Sequence, residues 1–526
     1  MDDATITFVV LGAAVALFVW NRWPVAVVAM GVAVALYATG VISADAAFAG
    51  FGDPTVIFIA SLFVVGEALD ATGVTTWAGE RLVAAAGRSK GRLVAMLLAL
   101  AAVLAAVLTP NGAVAAMIPM TVLMALRLGR APSLMLMPMA FAGYAGASLV
   151  LMGSPVNVLV SEEADRSAGG PFGFFAFALF GVPLVIGAIA IGVTLAGRLL
   201  PERRPRELSV DLSDHARTLM AQYGGDGAAV RHEAPEELFT RTSGVAEVLV
   251  PPRSPLVGET FFNGMTTPSG DLVVLAIQRA GAEAGPGDVT LAAGDVLLLE
   301  GSWEALGRHL DQEVLVVDDP ETVRRQLVPL SEGAGLALGV LVGMVVALAT
   351  GALPPAIAGV LAAGALILLG VVGVEQAYRA VSWTTVILIA GLFPLSHALQ
   401  STGAADDLAR VLLDVVGDAG PHMVLVALFL VALAFSVAVS NTATALILIP
   451  VGVSAAHSLD VSARPILMSL AVGCSASFLT PISTPGNLMI MGPAGYRFGD
   501  YWRFALPFIA LYAVVAILWV PVVWPF

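Results

Sequence analysis

Long apolar stretches dominate the chain and predict helices that cross a lipid bilayer. They run through Ile6–Trp20, Val25–Ile42, Val56–Leu69 and Phe504–Trp524. A helix needs about 20 largely apolar residues to span a bilayer, and these runs with their flanks approach that length. The pattern therefore predicts an all-α polytopic membrane protein.

A polar segment interrupts this pattern between residues 201 and 330. It holds no apolar run of membrane length, and its charged stretches include RHEAPEEL and DDPETVRRQL. Its later part contains short runs bounded by turn residues, AEVLVPP, LVVLAIQ and DVLLLEG, which are typical of strands. We therefore predict membrane segments at 1–200 and 331–526 around a small soluble α/β domain at 201–330.

The composition agrees with this division. Hydrophobic residues make up 58% of the 526 residues and charged residues only 12%, an apolar surplus that needs lipid to cover it. The single cysteine, Cys474, excludes a disulfide within the chain. No catalytic triad, zinc-ligand spacing or phosphate loop indicates an enzyme, and neither an organic cofactor nor a nucleic-acid partner is expected.

An internal repeat relates the two membrane segments. Thr55–Gly73 aligns with Thr385–Gly403, and the two stretches are identical at more than half of their positions. The same offset aligns two pairs of asparagines: Asn111 with Asn441, and Asn157 with Asn487. Apolar helices resemble one another in Leu, Val and Ala, but shared Thr, Phe, Gly and Asn in constant register indicate two copies of one unit.

Each copy contains two apolar arms around a polar break. The arms are Leu93–Leu108 and Ala113–Leu126 in copy one, and Val424–Val439 and Ala443–Ala456 in copy two. Unpaired backbone groups are costly in lipid, so such breaks must face protein or water. We predict re-entrant hairpins, which leave five spans per copy, and the odd number inverts copy two relative to copy one.

Basic residues set the expected orientation. With the N-terminus outside, Arg22, the Arg81–Arg92 loop and the Arg198–Arg206 cluster all lie inside, as the positive-inside rule requires. The insert is then cytoplasmic and both termini are extracytoplasmic, in a multi-pass protein of the plasma membrane. Inverted repeats with broken helices at mid-depth are the pattern of a secondary transporter, whose breaks mark the binding site.

Four breaks supply the candidate binding groups. Helix N-termini offer N–H groups to anions, whereas interrupted carbonyls and Asn or Ser oxygens suit a hard cation. Each motif alone also fits an ordinary turn or helix end, but the four coincide at equivalent positions. They are Asn111 and Gly112 in hairpin one, Ser440, Asn441 and Thr442 in hairpin two, and Gly153–Asn157 and Thr480–Asn487 in the broken helices.

The residues around these breaks resemble a known transporter family. SNTATALILIP and TPISTPGNLMIMGPAGYRFGDYWRFALP are similar to the divalent anion/sodium symporters, solute carrier family 13 of the ion-transporter superfamily. The insert, over about residues 244–318, resembles the ligand-binding TrkA-C module of potassium-channel regulatory proteins. The resemblance implies a homodimer, an elevator-type movement, and sodium-coupled uptake of sulfate or a di- or tricarboxylate.

The resemblance also assigns roles to the break residues by position. The small anionic substrate is expected to contact Asn111, Gly112, Ser154, Asn441, Thr442 and Thr484. Sodium is expected at Asn111, Gly153 and Ser154 in copy one, and at Ser440, Asn441, Ser483 and Thr484 in copy two. Asn157 and Asn487 are further candidates. Copy one reads Pro-Asn-Gly where the family has Ser-Asn-Thr, which leaves its cation site and the number of coupling ions open.

Two alternatives to sodium symport follow from other residues. Glu67 and His397 occupy equivalent repeat positions, and they are candidates for a proton route or for ordinary interface residues at the ends of their helices. A proton-coupled anion or metalloid exporter is therefore the alternative function, and the channel-type module suggests a ligand-gated channel as a third. The module either binds a small effector or stabilises the dimer.

Overall fold

The computed structural model describes most of the chain in two compact units. The described residues are 2–20, 22–74, 77–78, 81, 90–128, 130–203, most of 243–306, 315–316, 333–416, 420–437 and 439–526. One unit comprises Met1–Leu69, Ala78–Pro205 and Gly335–Phe526, and the other comprises Asp70–Trp77 and Arg206–Ala334. The first unit is helical, and the strands lie in the second.

The first half of the helical unit runs from α1 to α9. Its helices are α1 Asp3–Trp20, α2 Val25–Ala38, α3 Ala44–Phe48, α4 Pro54–Ala71, α5 Lys90–Val107, α6 Pro110–Arg127, α7 Leu136–Gly146, α8 Pro155–Ser167 and α9 Ala178–Leu199. Short 3-10 turns lie at Ala49–Gly52, Pro132–Leu134 and Leu151–Gly153.

The second half runs from α10 to α20. Its helices are α10 Ala334–Thr350, α11 Pro355–Leu368, α12 Val374–Ala380, α13 Trp383–Ser401, α14 Ala404–Val416, α15 Pro421–Ser436, α16 Asn441–Ser458, α17 Ala463–Cys474, α18 Pro485–Ala494, α19 Tyr501–Val514 and α20 Val520–Val523. A π-helical stretch, Val515–Trp519, joins the last two, and 3-10 turns lie at Pro481–Ser483 and Phe498–Asp500. The offset of the sequence repeat superimposes the first residues of α2, α8 and the turn at Leu151–Gly153 on those of α11, α18 and the turn at Pro481–Ser483.

Five helices of the described part are long and apolar enough to cross a membrane. They are Asp3–Trp20, Ala44–Ala71, Ala178–Leu199, Trp383–Ser401 and Phe498–Val523. The predicted run Val25–Ile42 is shorter as a helix, because α2 ends at Ala38 and Gly40 follows with a φ of 80°. Glycine adopts this left-handed backbone without the strain that a Cβ would cause.

The two halves pack closely at two places, and the sequence repeat relates these two places to each other. A Cβ on Gly391 of α13 would lie 2.9 Å from the carbonyl carbon of Ala29 in α2. A Cβ on Gly359 of α11 would lie 3.1 Å from the Cβ of Ser61 in α4. The repeat aligns residue 29 with residue 359 and residue 61 with residue 391, so the same contact occurs twice with the halves interchanged.

Arg203, at the end of the first half, forms hydrogen bonds with the second half. Arg203 Nη1 donates to Asp500 Oδ2 at 2.5 Å and to the Gly495 carbonyl at 3.0 Å. Its backbone N–H donates to Ser133 Oγ at 2.9 Å, and the Tyr496 hydroxyl donates to the Ser133 carbonyl. Gly495 is the C-cap of α18, with a φ of 64°, so these bonds fix the far end of a broken helix.

The strand-containing unit has a five-stranded antiparallel sheet in the order β4-β3-β6-β1-β7. Its strands are β1 Ser243–Leu249, β3 Leu272–Arg279, β4 Ala282–Glu283, β6 Val296–Ser302 and β7 Leu315–Val316, while β2 Thr260–Phe261 pairs with β5 Val289–Thr290. The three predicted runs are confirmed as β1, β3 and β6.

One ion pair closes the end of this sheet. Arg279 donates from Nε and Nη2 to the two carboxylate oxygens of Asp295, both at 2.7 Å. Asp295 is 1% exposed and also accepts the Ala292 N–H at 2.7 Å. The hydrogen bonds from Arg279 lower the pKa of the Asp295 carboxyl, because they favour its charged form.

Candidate functional site

The two broken helices restart with the same local structure. Ser154 and Thr484 are N-caps with extended backbones, and each precedes a proline that opens the helix. Ser154 Oγ accepts the Val156 N–H at 3.3 Å, and Thr484 Oγ1 accepts the Asn487 N–H at 3.2 Å. Ser or Thr before proline is a strong helix start, because the hydroxyl pairs an orphan N–H and proline needs no donor there.

Paired asparagines clamp the unwound segment before each restart. Asn157 Nδ2 donates to the carbonyls of Ala147 and Val150 at 3.2 and 3.0 Å. Asn487 Nδ2 donates to the equivalent carbonyls of the second half, those of Ser477 and Thr480, at 3.2 and 3.1 Å. The two asparagines are 1% and 0% exposed. Both side chains therefore bond the unwound backbone, and a direct substrate contact by either stays a prediction.

The predicted hairpin residues lie in the first turns of helices. Asn111 and Gly112 follow Pro110 at the start of α6, and the Gly112 N–H donates to Thr109 Oγ1 at 3.2 Å. In the second half Ser440 is the N-cap of α16, and its Oγ accepts the Ala443 N–H at 3.3 Å. Both sets of predicted tip residues thus lie at helix N-termini, where N–H groups favour anions.

The first hairpin meets the second broken helix. Asn111 Oδ1 accepts the backbone N–H of Gly486 at 3.1 Å. The hydroxyl of Tyr144, in α7, lies 2.8 Å from Thr484 Oγ1. A side chain at residue 486 would overlap the Tyr144 hydroxyl and lie 3.1 Å from Asn111 Oδ1. Helices α6 and α7 of one half and α18 of the other therefore converge on Gly486, which must be glycine for this approach.

The second hairpin is bonded differently, within its own half. Asn441 Oδ1 accepts a hydrogen bond from Ser477 Oγ, and the first half has Ala147 at the position equivalent to Ser477. Ser483 Oγ donates to the Thr480 carbonyl at 2.6 Å. The site is therefore symmetric in its backbone and asymmetric in its hydrogen bonds.

Buried oxygens in the second half lack protein partners among the described residues. They are Tyr512 OH and, in or near the break segments, Thr444 Oγ1, Thr480 Oγ1 and Asn487 Oδ1. Thr442, a predicted substrate residue, is also buried, at 8% exposed. A buried oxygen without a donor is costly unless water or a cation binds it. Oxygen ligands of this kind would suit a sodium ion in the second break.

The predicted first cation site has a more limited set of side chains. Gly153 lies against the Ala147 carbonyl so closely that a Cβ would overlap its oxygen. Ser154 Oγ is used as the helix cap, and Asn111 Oδ1 accepts from Gly486. Gly153 is therefore explained by packing, and any cation there depends mainly on backbone carbonyls.

The predicted proton-route residues lie apart from these contacts. Glu67 is half-buried, and its Oε1 accepts from Gln376 Nε2 of α12 at 2.9 Å. His397 is exposed at the end of α13. These positions agree with the interpretation of both as interface residues. The structure instead buries Glu163 and half-buries Glu162 near the end of α8, with Arg166 bonded to Glu162.

Sequence reasoning assigned no role to three residues of the site. Tyr144 and Ser477 lie outside the predicted segments, and Gly486 lies within Thr480–Asn487 but was not singled out. All three bond or pack directly against predicted residues. A hydroxyl-bearing residue within the apolar run LMPMAFAGYAG is the only local signal for Tyr144. A comparison of the two copies near the breaks could have identified Ser477, because the first copy has alanine, Ala147, at the equivalent position.

These features define a class of protein. Apolar spanning helices, helical hairpins with polar first turns and capped broken helices from two related halves are the parts of a secondary transporter. The chain belongs to the citrate transporter family, CitMHS, whose family model matches residues 15–473 and 420–526. It is therefore a multi-pass membrane transporter.

Curated relatives agree with this family. The chain is 29% identical to the uncharacterized transporter YfbS of Escherichia coli K12, over 98% of each chain. It is 26% identical to sodium/sulfate cotransporter 1 of Chlamydomonas reinhardtii, over 52% of this chain and 32% of that protein. It is 28% identical to the L-tartrate/succinate antiporter of E. coli K12, over 39% of this chain and 44% of that protein.

Proposed function

We propose that this transporter moves a small oxyanion, sulfate or a di- or tricarboxylate, together with sodium. The hydrogen bond from Gly486 N–H to Asn111 Oδ1 carries the proposal, because it joins the hairpin of one half to the broken helix of the other. Polar groups of both halves then converge at helix N-termini. The sodium/sulfate cotransporter among the relatives supports both the anion and the cation.

The anion binds between the first turns of these helices. Its contacts are Asn111, Gly112, Ser154, Asn441, Thr442 and Thr484. The break segments contain no Arg or Lys, so amides, hydroxyls, helix dipoles and the bound cation balance its charge. Bidentate Arg pairing binds oxyanions strongly, and its absence favours release during turnover.

Sodium binds chiefly in the second break. This site is lined by Ser440, Asn441, Ser483 and Thr484. Two buried oxygens there, Thr480 Oγ1 and Asn487 Oδ1, have no partner in the described part of the chain, and they favour a cation. The first site, at Asn111, Gly153 and Ser154, has lost the hydroxyls of the Ser-Asn-Thr pattern. Coupling to a single sodium ion is the simplest consequence.

The two halves are inverted repeats that work as an elevator in a homodimer of the plasma membrane. The exchanged contacts Ala29–Gly391 and Ser61–Gly359 support a two-fold relation between the halves. The strand-containing unit is a cytoplasmic TrkA-C-type module that binds a small effector. Both chain termini lie outside the cell.

Cysteine labelling tests this orientation. Because Cys474 is buried, an impermeant maleimide should label only the thiol introduced by Val257→Cys, and only after permeabilisation. Labelling of intact cells would contradict this orientation.

A ligand screen on purified protein tests the function. Ligands that bind the folded state raise its thermal stability by mass action. Sulfate, succinate and citrate are each added in sodium chloride or in potassium chloride. The proposal expects stabilisation by at least one anion that is larger in sodium, loss of this effect in Asn441→Ala, and its retention in Ser458→Ala at the other end of α16. Stabilisation that is equal in both salts would contradict sodium coupling.

A proton-coupled exchanger is the second candidate. Glu163 is 8% exposed and Glu162 Oε2 is buried without a described partner, on a helix that packs against α16 and α17. Buried carboxyls among membrane helices are proton carriers in many transporters, and one relative is an antiporter. This candidate predicts transport that a pH gradient drives without sodium. Such transport should be lost in Glu163→Gln and kept in Asp165→Asn, the control at an exposed position.

A further inference from the structure

A pair of hydroxyls at the junction of the two halves has one hydrogen to spare. Tyr144 OH and Thr484 Oγ1 are 2.8 Å apart. Each hydroxyl carries a single hydrogen, and one of the two forms the bond between them. Among the described residues no acceptor outside the pair is bonded to either oxygen. The remaining O–H is therefore available to a ligand.

One lone pair of the Thr484 hydroxyl is already in use. Its Oγ1 accepts the Asn487 N–H at 3.2 Å, which fixes the hydroxyl at the start of α18. The Tyr144 ring is held by Phe141 and Phe478, with centroid separations of 6.3 and 6.2 Å. Because both oxygens are held in place, the free O–H is preorganised rather than mobile.

The neighbouring amide adds further donors. Asn111 Oδ1 accepts the Gly486 N–H, which fixes the orientation of the side-chain amide. Its Nδ2 group, with two hydrogens, makes no bond to the described residues. Gly486 packs against both the Tyr144 hydroxyl and Asn111 Oδ1, so these two groups of the first half meet at one glycine of the second half.

We propose that Tyr144 is a substrate-binding residue, whose hydroxyl, paired with Thr484, donates one hydrogen bond to an oxygen of the transported anion. This inference rests on the proposed function. When an anion binds, the phenol is the stronger donor of the two hydroxyls and donates to the anion, while the Thr484 O–H donates to the Tyr144 oxygen. The Tyr144 O–H and the Asn111 Nδ2 group both donate, so they complement the acceptor oxygens of ionised sulfate or carboxylates. Tyr144 and Thr484 are 7% and 9% exposed, so the pair is largely shielded from solvent.

The test compares anion affinity in two tyrosine variants of the full chain. Tyr144→Phe removes the spare donor. Tyr501→Phe is the matched control, because its hydroxyl donates to the Asn487 carbonyl at 2.6 Å in the same break and contacts no proposed ligand. Sulfate and succinate are titrated into purified protein in sodium chloride, with thermal stability as the signal. Hydrogen bonds to charged groups are strong enough that Kd should rise about tenfold or more in Tyr144→Phe.

The control should stay within about threefold of the unaltered protein, a change of under about 1 kcal/mol. Equal affinity in Tyr144→Phe and the unaltered protein overturns the assignment of Tyr144 but leaves the proposed function intact. Failure of both anions to stabilise the unaltered protein overturns both. If Tyr144→Phe does not fold, Tyr144→His, which keeps a ring with a hydrogen-bond donor, and Tyr144→Leu, which has none, replace it. Weaker binding in the leucine variant alone supports the assignment of Tyr144, and equal binding in both overturns it.

Discussion

The Tyr144 hydroxyl lies 2.8 Å from the Thr484 hydroxyl although the two residues are far apart in the sequence. This contact, with the bond from Gly486 N–H to Asn111 Oδ1, joins the first half to the broken helix of the second. The proposed site therefore exists only where both halves are assembled. Changes that separate these groups should affect ligand binding more than they affect folding.

Gly486→Ala should disrupt this junction. The added methyl would overlap the Tyr144 hydroxyl, and overpacking of this kind costs about 1–3 kcal/mol. We expect a lower melting temperature and the loss of anion-induced stabilisation. Gly492→Ala, on the same helix, is the control, because a Cβ at residue 492 would have no other atom within 4 Å.

A second change distinguishes the cause. Tyr144→Phe removes the oxygen that the methyl would strike, so the double variant with Gly486→Ala should regain part of the lost melting temperature. Additive losses in the double variant would show that the two residues do not contact each other as described.

The asparagine clamps should contribute unequally to stability. Asn157→Ala removes the side-chain donor to the Ala147 and Val150 carbonyls, at a cost of about 1–3 kcal/mol. Asn487→Ala removes the equivalent bonds, but Ser483 Oγ also donates to the same two carbonyls, and the first half has glycine at that position. The melting temperature in detergent should therefore fall further in Asn157→Ala, and an equal fall in both variants would contradict this difference.

The Arg203–Asp500 pair should matter more than an exposed ion pair. Its side chains are only 27% and 15% exposed, and Arg203 also bonds the C-cap of α18. Arg203→Ala should therefore lower the stability of the helical unit by about 1–3 kcal/mol. Glu375→Gln is the control, since the Arg379–Glu375 pair is 77% and 80% exposed, and such pairs contribute about 0–1 kcal/mol. Similar melting temperatures for the two variants would contradict this role.

Acid should weaken the strand-containing unit through Asp295. The bonds from Arg279 hold the pKa of Asp295 below its ordinary value, so the unfolded state binds the proton more readily. The resulting stability is present above the unfolded pKa of about 3.9 and is lost as pH falls through the folded pKa. Amide hydrogen exchange in Val296–Ser302 of the full chain should therefore accelerate below about pH 4, after correction for its intrinsic pH dependence.

Asp295→Asn is the control for this titration. It should accelerate exchange at neutral pH and reduce the dependence on acid, because the group that titrates is absent. An unchanged acid dependence in the variant would assign the effect to another group.

Local patterns were sufficient to predict much of the fold. The repeat located α4 and α13, alternating runs located β1, β3 and β6, and the break motifs Gly153–Asn157 and Thr480–Asn487 located the breaks before α8 and α18. These features depend on residues near one another in the sequence. The end of α2 at Ala38 was missed because the apolar run continues to Ile42, while the left-handed Gly40 ends the helix.

The candidate site was predictable only in part. Asn111, Asn441 and Thr484 were identified because they interrupt apolar helices. Their partners were not, because no local pattern reports which distant segment packs against a break. Tyr144 lies in an otherwise apolar helix, and Gly486 is required by side chains from the other half. Asn157 and Asn487 were identified as conspicuous, but only the structure shows that they bind backbone.

Uptake into proteoliposomes measures whether groups of both halves form one anion site. Labelled sulfate and succinate are offered outside with a sodium or a potassium gradient, for the unaltered chain, Asn111→Ala and Asn441→Ala. We expect uptake of at least one anion to need sodium and to fall at least about tenfold in each variant. Full uptake by either variant, at the same KM, would contradict a site shared by the two halves.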